Sequence, residues 1–219
     1  MVSDKTAPGF HPPQQARSRA ALQRLLTAAE QVLATAGTDE LTMAAVAQRA
    51  GVSIGAIYGR FASKDQLLNA VKDRLLGRIE EDLASALNNA GDSLRELVEA
   101  FTRALADGFS AGTHAIPYVL VNARNQEATD RGVQALETIQ RLFLDKAMHH
   151  LAEVRQPDPM TALVIVARTI TGACIHRTMS AHIWPDGTSW GRWAAALSGM
   201  SVGYLTTPDA ATPESGSVG

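Results

Sequence analysis

The stretch Ser53–Arg60, SIGAIYGR, carries side chains and bare backbone that could contact the edges of DNA bases. An arginine can donate two hydrogen bonds to guanine, and glycine lets the backbone approach a base pair closely. Val52 and Ile57 are the apolar members expected to point inward. The residues expected to face outward are Ile54, Gly55, Ala56, Tyr58, Gly59 and Arg60. This pattern predicts a short surface that reads the major groove.

Two short helices joined by a tight turn would position this surface. The first helix is predicted from four apolar residues at helical spacing, Met43, Val46, Ala47 and Ala50. Thr42 stands where an N-cap belongs, and Gly51 stands where a helix ends in the left-handed conformation. Ser53 can cap the second helix, which gives a helix-turn-helix. The alternative is a plain helical hairpin in which Gly51 is only a stop signal.

Cations near this motif are candidates for phosphate contacts. Ser63 can cap a further helix whose first turn carries Lys64, although a cation at a helix start opposes the helix dipole. A DNA phosphate would explain that lysine. Arg17 and Arg19 precede the apolar stripe of the first helix, and two solvated arginines are an equally good interpretation of them.

The sequence resembles the TetR family of transcriptional regulators in the region from residue 17 to residue 68. The residues that carry the resemblance are Leu41, Thr42, Ala47, Ala50–Ser53, Ile57, Tyr58, Phe61, Ser63–Asp65, Leu67 and Leu68. Beyond about residue 75 the chain has no recognisable motif of that family.

The resemblance implies roles for several residues. Tyr58 and Lys64 would hold phosphates together with Thr42, Ser53 would cap the recognition helix, and Arg17 and Arg19 would lie by the DNA backbone. Many family members have His before the conserved Phe, where this chain has Arg60, so the role of that position is open. The resemblance also implies that the fourth helix joins a DNA-binding domain to a ligand-binding body.

Charge is divided unevenly along the chain. Residues 1–79 hold ten Lys and Arg against six Asp and Glu, whereas residues 80–219 hold ten against sixteen. The cationic part contains the helix-turn-helix, and a duplex is held largely through neutralised phosphates. The charge supports a double-stranded DNA partner; the alternative is that helix surfaces carry uneven charge by chance.

The composition predicts an all-α fold, with 46% hydrophobic residues, 5% aromatics and no run of alternating β-branched residues. We expect a disordered tail at 1–13, a helix-turn-helix domain at 14–63, a helical effector-binding and dimerisation domain at 64–206, and a disordered tail at 207–219. Helices are predicted at about 14–36, 64–89, 93–110, 129–154, 159–181 and 189–206. The segment 111–131 should hold one short helix and a loop.

Two features of the C-terminal part suggest binding. Ala195, Gly199 and Gly203 form a strip of small residues on the last helix, which predicts a homodimer interface; the alternative is a core strip within one chain. An effector pocket would be lined by Phe101, Phe109, Tyr118, Asn122, Phe143 and His176. Each of these aromatic residues could instead be ordinary core. Few charges fall on inward faces, which favours a small apolar or aromatic effector.

The sequence argues against an enzyme. None of its six histidines forms an i, i+4 pair, and it lacks a nucleophile elbow, a phosphate loop and a nucleotide fingerprint. A single cysteine, Cys174, excludes an internal disulfide, and no metal or cofactor is expected. The first thirty residues lack the apolar core of a signal peptide, and the most apolar stretch, Met160–Ala167, stops at Arg168, far short of a membrane span. The single cysteine suits a reducing compartment, so the cytoplasm is the predicted location.

The prediction is therefore a ligand-responsive DNA-binding regulator, with repression favoured, that binds a palindromic operator as a dimer. The alternative is a DNA-binding protein of the same fold whose C-terminal body engages a protein partner instead of a small molecule.

Overall fold

The computed structural model describes residues 14–37, 40–112, 115–116, 126–181 and 183–208, with backbone alone for residues 14–17 and 36. Within these residues the regular structure is helical, and the predicted all-α fold is confirmed. The α-helices are α1 (Gln14–Ala36), α2 (Met43–Ala50), α3 (Ile54–Tyr58), α4 (Lys64–Asn88), α5 (Leu94–Ala111), α6 (Gln126–Ala147), α7 (Pro159–Ser180) and α8 (Trp190–Thr206). A 3₁₀ segment, Met148–Glu153, follows α6.

The predicted helices agree with these bounds except at α6. That helix begins at Gln126 and ends at Ala147, whereas the sequence predicted 129–154. The chain continues as a 3₁₀ segment in which His150 has φ −114°. Apolar residues continue at helical spacing through this segment, so the sequence pattern does not mark the end of the α-helix. The predicted tail at 1–13 and most of the predicted tail at 207–219 lie outside the described residues. Most of the segment 111–131 also lies outside them.

The chain divides into two compact units, Met1–Val71 and Lys72–Gly219. The division falls inside α4, a continuous helix from Lys64 to Asn88, so this helix contributes its first two turns to the N-terminal unit. The domain boundary predicted between residues 63 and 64 stays a prediction. The compact units meet later in the chain, between Val71 and Lys72.

The N-terminal unit is built from α1, α2, α3 and the start of α4. Helix α1 packs against α2, and α2 packs against α3. Its core consists of fully buried apolar side chains, among them Leu25, Leu33, Leu41, Val46, Ile57 and Leu67. Gly37 ends α1 at φ 77°, a conformation that glycine adopts without steric cost. These contacts fix where the short helix α3 stands on the surface of the unit.

The C-terminal unit is a helical body in which α5 packs most extensively against α8, and α7 packs against α5, α6 and α8. Phe101 and Phe143 meet at its centre with ring centroids 4.5 Å apart. Among the described residues, α7 is the helix long and apolar enough to cross a membrane. A core helix of a soluble protein has the same properties, and Leu163, Ile170 and Cys174 on α7 are fully buried in this body.

A polar cluster joins α4 to α6 within the C-terminal unit. Arg131 forms ion pairs with Asp73 at 2.7 Å and with Glu80 at 2.8 Å. Lys72 is almost fully buried, and its Nζ donates a hydrogen bond to the Ala128 carbonyl at 2.6 Å. A charged ammonium group is thus removed from water beside the guanidinium of Arg131, and both effects lower the pKa of Lys72, burial more than Arg131.

Candidate nucleic-acid interface

Helix α2 begins and ends as its sequence predicts. The Thr42 hydroxyl accepts a hydrogen bond from the Ala45 N–H at 3.1 Å, which makes Thr42 the N-cap. Gly51 ends the helix at φ 66°, and the next residue, Val52, donates to the Ala47 carbonyl at 3.0 Å. This is a Schellman ending, in which residues beyond the last turn satisfy its carbonyls. It turns the chain sharply into α3.

Helix α3 restarts after that turn. The Ser53 hydroxyl accepts from the Ala56 N–H at 3.2 Å and caps the helix, as predicted. Ile57 has no exposed surface and anchors the helix on the core of the N-terminal unit, while Val52 is half-buried. A helix of five residues cannot be stable alone, so this buried side chain and the cap hold it in place.

The outward face of α3 is open to solvent. Ile54 is 53% exposed and Tyr58 is 54% exposed, so both leave much apolar surface in water. The other members of the predicted reading surface are exposed as well, namely Gly55, Ala56, Gly59 and Arg60. The predicted division between inward and outward residues is thereby confirmed. Whether the outward residues contact DNA stays a prediction.

The structure shows a contact of Arg60 that the sequence analysis missed. Its Nη2 donates to the Ser18 hydroxyl of α1 at 3.1 Å, and both side chains are exposed. Arg60 therefore contacts the start of α1, the helix on which Arg19 is also exposed. The Arg17 side chain lies outside the described residues. No spacing rule links residues 42 positions apart, so this pair had no signal in the sequence.

The start of α4 borders the same unit. The Ser63 hydroxyl accepts from the Gln66 N–H at 3.2 Å, and the Gln66 side chain accepts from the Ala62 N–H at 2.8 Å. This arrangement resembles a capping box and confirms Ser63 as the cap. Lys64 follows in the first turn and is half-exposed. Its contact with a phosphate remains a prediction.

Three of the described effector residues, Phe101, Phe109 and Phe143, do not line a cavity. Phe101 and Phe143 have no exposed surface and Phe109 has 3%, so the three rings belong to the packed core. A side chain without accessible surface cannot line a space that admits a water-sized molecule. Their assignment to an effector pocket is not supported by this packing. Tyr118 and Asn122 lie outside the described residues.

His176 is placed differently from the phenylalanines. It is exposed on α7 and borders a cavity of about 700 Å³, together with three residues that the sequence analysis did not select: Trp184, Pro185 and Trp193. This cavity could not be found from helical periodicity, because the segment between α7 and α8 forms one of its walls.

The strip of small residues on α8 is on the surface of the chain. Ala195, Gly199 and Gly203 are all exposed, so the core alternative does not hold in this structure. A Cβ atom added at either glycine would meet no other atom within 4 Å. The neighbouring side chain of Met200 is 72% exposed. An exposed strip of small residues would allow a helix of another chain to approach closely, and its role as a dimer interface stays a prediction.

A capped helix, a left-handed glycine turn and a short exposed second helix define a helix-turn-helix, the motif that in DNA-binding proteins places its second helix in the major groove. The profile described as bacterial regulatory proteins, tetR family, matches residues 25–71. The likeness to this family covers the N-terminal part of the chain. The match to a family of regulators supports the prediction that the chain is not an enzyme.

Two curated relatives carry the name HTH-type transcriptional regulator BetI. The protein from Rhizobium meliloti (strain 1021) is 39% identical over 93 residues, which are 42% of this chain and 45% of that protein. The protein from Stenotrophomonas maltophilia (strain R551-3) is 34% identical over 86 residues, which are 39% of this chain and 42% of that protein. The chain thus matches less than half the length of either relative.

The fold extends further than this sequence similarity. The crystal structure of a TetR transcription regulator from Haloarcula marismortui matches with a TM-score of 0.68 at 18% identity, over 85% of this chain and 97% of that one. At this identity the likeness establishes the fold of the C-terminal unit and leaves its ligand open.

Proposed function

We propose that this protein is a ligand-responsive transcriptional repressor that binds a palindromic operator as a homodimer. The single observation that carries the proposal is the open face of α3, where Ile54 and Tyr58 are half-exposed beside four further exposed residues. An apolar side chain in water has an energetic cost, and contact with a thymine methyl group or sugar would relieve it.

The residues of the interface would divide into two groups. The base-reading group is Ile54, Gly55, Ala56, Gly59 and Arg60. The phosphate-binding group is Arg17, Arg19, Thr42, Tyr58 and Lys64, and Ser53 supports both groups as the cap of α3. Arg60 must exchange its hydrogen bond with Ser18 for one with a base, so its contribution is the difference between the two.

Homodimer formation would use the exposed strip Ala195, Gly199 and Gly203 on α8. A single five-residue recognition helix contacts few base pairs, and two of them on successive major grooves supply the specificity that one lacks. A small apolar or aromatic effector bound in the C-terminal unit would then favour a dimer whose recognition helices no longer match the groove spacing. Such a regulator would work in the cytoplasm.

The test is selection of bound sequences from random duplex DNA, followed by salt titration of the selected duplex. We expect a palindrome. Arg60→Ala should lose about 1–3 kcal/mol for the selected sequence and relax the preference at one position in each half-site. Lys64→Ala should weaken binding to all duplexes and make the salt dependence shallower by about one unit. The absence of any enriched sequence at any salt concentration would contradict the proposal.

A second candidate function rests on other exposed apolar side chains of the C-terminal unit. Ile183 is 76% exposed, in addition to Met200 on α8. Such residues suit a protein partner that uses the N-terminal unit as an anchor on DNA. Sedimentation of the purified chain decides between the two: a stable homodimer favours the repressor, and a monomer that still binds DNA favours the partner protein.

A further inference from the structure

A single hydrogen bond links the residue that follows the end of α3 to the start of α1. Arg60 Nη2 donates to the Ser18 hydroxyl at 3.1 Å, both side chains are exposed, and both residues belong to the N-terminal unit. We propose that Ser18 is a phosphate-binding residue, whose hydroxyl donates a hydrogen bond to the DNA backbone once Arg60 has turned to a base. The proposal rests on the proposed function and adds to it one residue and one exchange of hydrogen bonds.

The contact with Arg60 places Ser18 near the rim of the groove. Arg60 comes directly after Gly59, the residue that ends α3, and the proposed function turns its guanidinium group to a base edge. The major groove is about 12 Å wide, and the phosphates of the two strands line its rims. Ser18 lies within the reach of the arginine side chain that would enter this groove. The groups of the duplex at that distance from the base edges include the phosphates of the rim.

The chemistry of a hydroxyl group allows the exchange. A serine hydroxyl carries one O–H donor and two acceptor lone pairs, so it can accept from one partner and donate to another. In the free protein the Ser18 oxygen accepts from Arg60. A phosphate oxygen is an acceptor only, so Ser18 must act as the donor when it meets DNA. A hydrogen bond to a charged oxygen is stronger than one between neutral groups, and the new bond offsets the one that Arg60 gives up.

The charges around Ser18 favour a phosphate as its partner. Ser18 stands between Arg17 and Arg19 in the sequence, and the first turn of α1 contains no acidic side chain. An anion that approaches the hydroxyl therefore meets cationic neighbours, whereas a cationic partner would be repelled. The alternative is that Ser18 only holds Arg60 in place for the base. The two roles differ in what Ser18 contributes when Arg60 is absent.

Replacing Ser18 in two backgrounds separates these roles. Ser18→Ala removes the hydroxyl from an exposed position of a helix, where alanine is favourable, so the fold should be retained. In the Arg60→Ala protein only the phosphate bond is lost, and we expect Ser18→Ala to weaken binding about tenfold further. In the wild type it also removes the Arg60 bond from the free protein, so the two losses oppose each other. We expect a change of about threefold or less there.

Fluorescence anisotropy of labelled duplexes with purified full-length protein measures these affinities, on the selected sequence and on a scrambled one. The tenfold factor should be the same on both duplexes, because a phosphate carries no sequence information. The slope of affinity against salt should not change, because serine is uncharged and releases no counterion. This constant slope distinguishes Ser18→Ala from Lys64→Ala, for which a shallower slope is expected.

Two further variants serve as controls. Ser18→Thr keeps a hydroxyl and, in the Arg60→Ala background, should bind within about twofold of Arg60→Ala alone. Thr35→Ala removes an exposed hydroxyl from the same helix, about 25 Å further along α1, and should leave the affinity unchanged.

Four outcomes would overturn the proposal. If adding Ser18→Ala to Arg60→Ala leaves the affinity unchanged, Ser18 only holds the arginine. A loss in the wild type as large as that in Arg60→Ala would show that no exchange takes place. A loss confined to the selected duplex would assign Ser18 to a base, and an equal loss in Thr35→Ala would show that the effect is not local.

The wild-type titration separates this inference from the proposed function. A wild-type protein that binds no duplex contradicts both. A wild-type protein that prefers the selected palindrome, with no effect of Ser18→Ala in the Arg60→Ala background, contradicts the role of Ser18 alone.

Discussion

Cys174 illustrates how burial decides the chemistry of a single side chain. It lies on α7 with no exposed surface, and burial raises the pKa of its thiol from 9.0 to about 12, against the smaller opposing effect of Arg177. The reactive thiolate is therefore almost absent at neutral pH.

We expect native protein to react with Ellman's reagent at pH 8 at least about a hundredfold more slowly than protein unfolded in guanidinium chloride. The absorbance of the released thiol measures both rates. Rapid reaction of the native protein would show that α7 opens locally and that Cys174 is not held in the core.

Lys72 is a buried charge whose replacement should stabilise the protein. Its ammonium group has one hydrogen bond among those described, to the Ala128 carbonyl, and a neighbouring guanidinium group. Lys72→Met keeps the length of the side chain and removes the buried charge. We expect the free energy of unfolding in urea to rise by ~1 kcal/mol at pH 7. A loss of the same size would show that the hydrogen bond outweighs the cost of burial.

The difference between this variant and the wild type should depend on pH. The folded-state pKa of Lys72 is below its ordinary value of 10.5, so between these two pKa values the unfolded chain binds more protons than the folded one. Wild-type stability therefore gains with pH in that window, while Lys72→Met lacks this gain. Urea unfolding at several pH values should show the advantage of the variant shrinking as pH rises toward 10.5.

The exposure of single residues was predictable where local spacing determines it. The inward position of Ile57 and the outward position of Tyr58 follow from their places on one turn of α3, whose apolar side faces the core. The hydrogen bond of Arg60 to Ser18 and that of Arg49 to Gln31 were not predictable, since they depend on how α1 packs on the other helices. The three phenylalanines assigned to a pocket show the same limit, because an apolar helix face does not reveal whether it meets a neighbour or a cavity.

At the scale of elements, Gly51 is the residue on which the turn between α2 and α3 depends. Its φ of 66° is unfavourable for any residue with a Cβ atom, although the space around it is open. Gly51→Ala should therefore lower the free energy of unfolding by about 1 kcal/mol through the backbone alone. Urea unfolding measures this loss, and an unchanged midpoint would show that the turn adopts another conformation.

Gly55, on α3, should respond in the opposite direction. An added Cβ would lie 3.9 Å from the Ser53 hydroxyl, which is ordinary contact, and alanine favours a helix over glycine. We expect Gly55→Ala to stabilise the protein by up to ~1 kcal/mol and to weaken binding to the selected operator, since the methyl group lies on the reading surface. Stabilisation with unchanged operator affinity would show that Gly55 is not part of the reading surface.

Element boundaries were predictable where a side chain marks them. Thr42, Ser53, Ser63, Ser93 and Ser189 each precede a helix, and in each case the hydroxyl accepts a hydrogen bond from the helix's first turn. The end of α6 has no such marker. Its last residues tighten into a 3₁₀ segment, where the Glu153 carboxylate accepts from the Leu94 N–H at 3.1 Å. Tertiary packing, which periodicity cannot report, ends that helix.

At the scale of the whole molecule, the sequence predicted a cationic N-terminal part and an anionic C-terminal part, and the structure divides the chain close to the point where the charge changes. The N-terminal unit was predictable in detail because its motif is local. The C-terminal unit was predictable only as a set of helices. Its cavity depends on the segment between α7 and α8. There Arg177 contacts Asp186 and two tryptophans, and helical periodicity in the sequence does not predict these contacts.

The exposed strip on α8 allows dimer formation to be tested with a variant that leaves the fold of the single chain intact. Gly199 has open space around its Cα, so Gly199→Glu should leave the fold intact and remove some of the helix cost of glycine. In a dimer it would place a carboxylate in a close helix contact, where burial of an unpaired charge is unfavourable. Analytical ultracentrifugation should show a shift from dimer to monomer, with operator affinity reduced at least tenfold.

Gly77→Glu on α4, another helical glycine with open space, is the control. A Gly199→Glu protein that remains dimeric would exclude this strip and direct attention to the exposed face of α7 around Ile165.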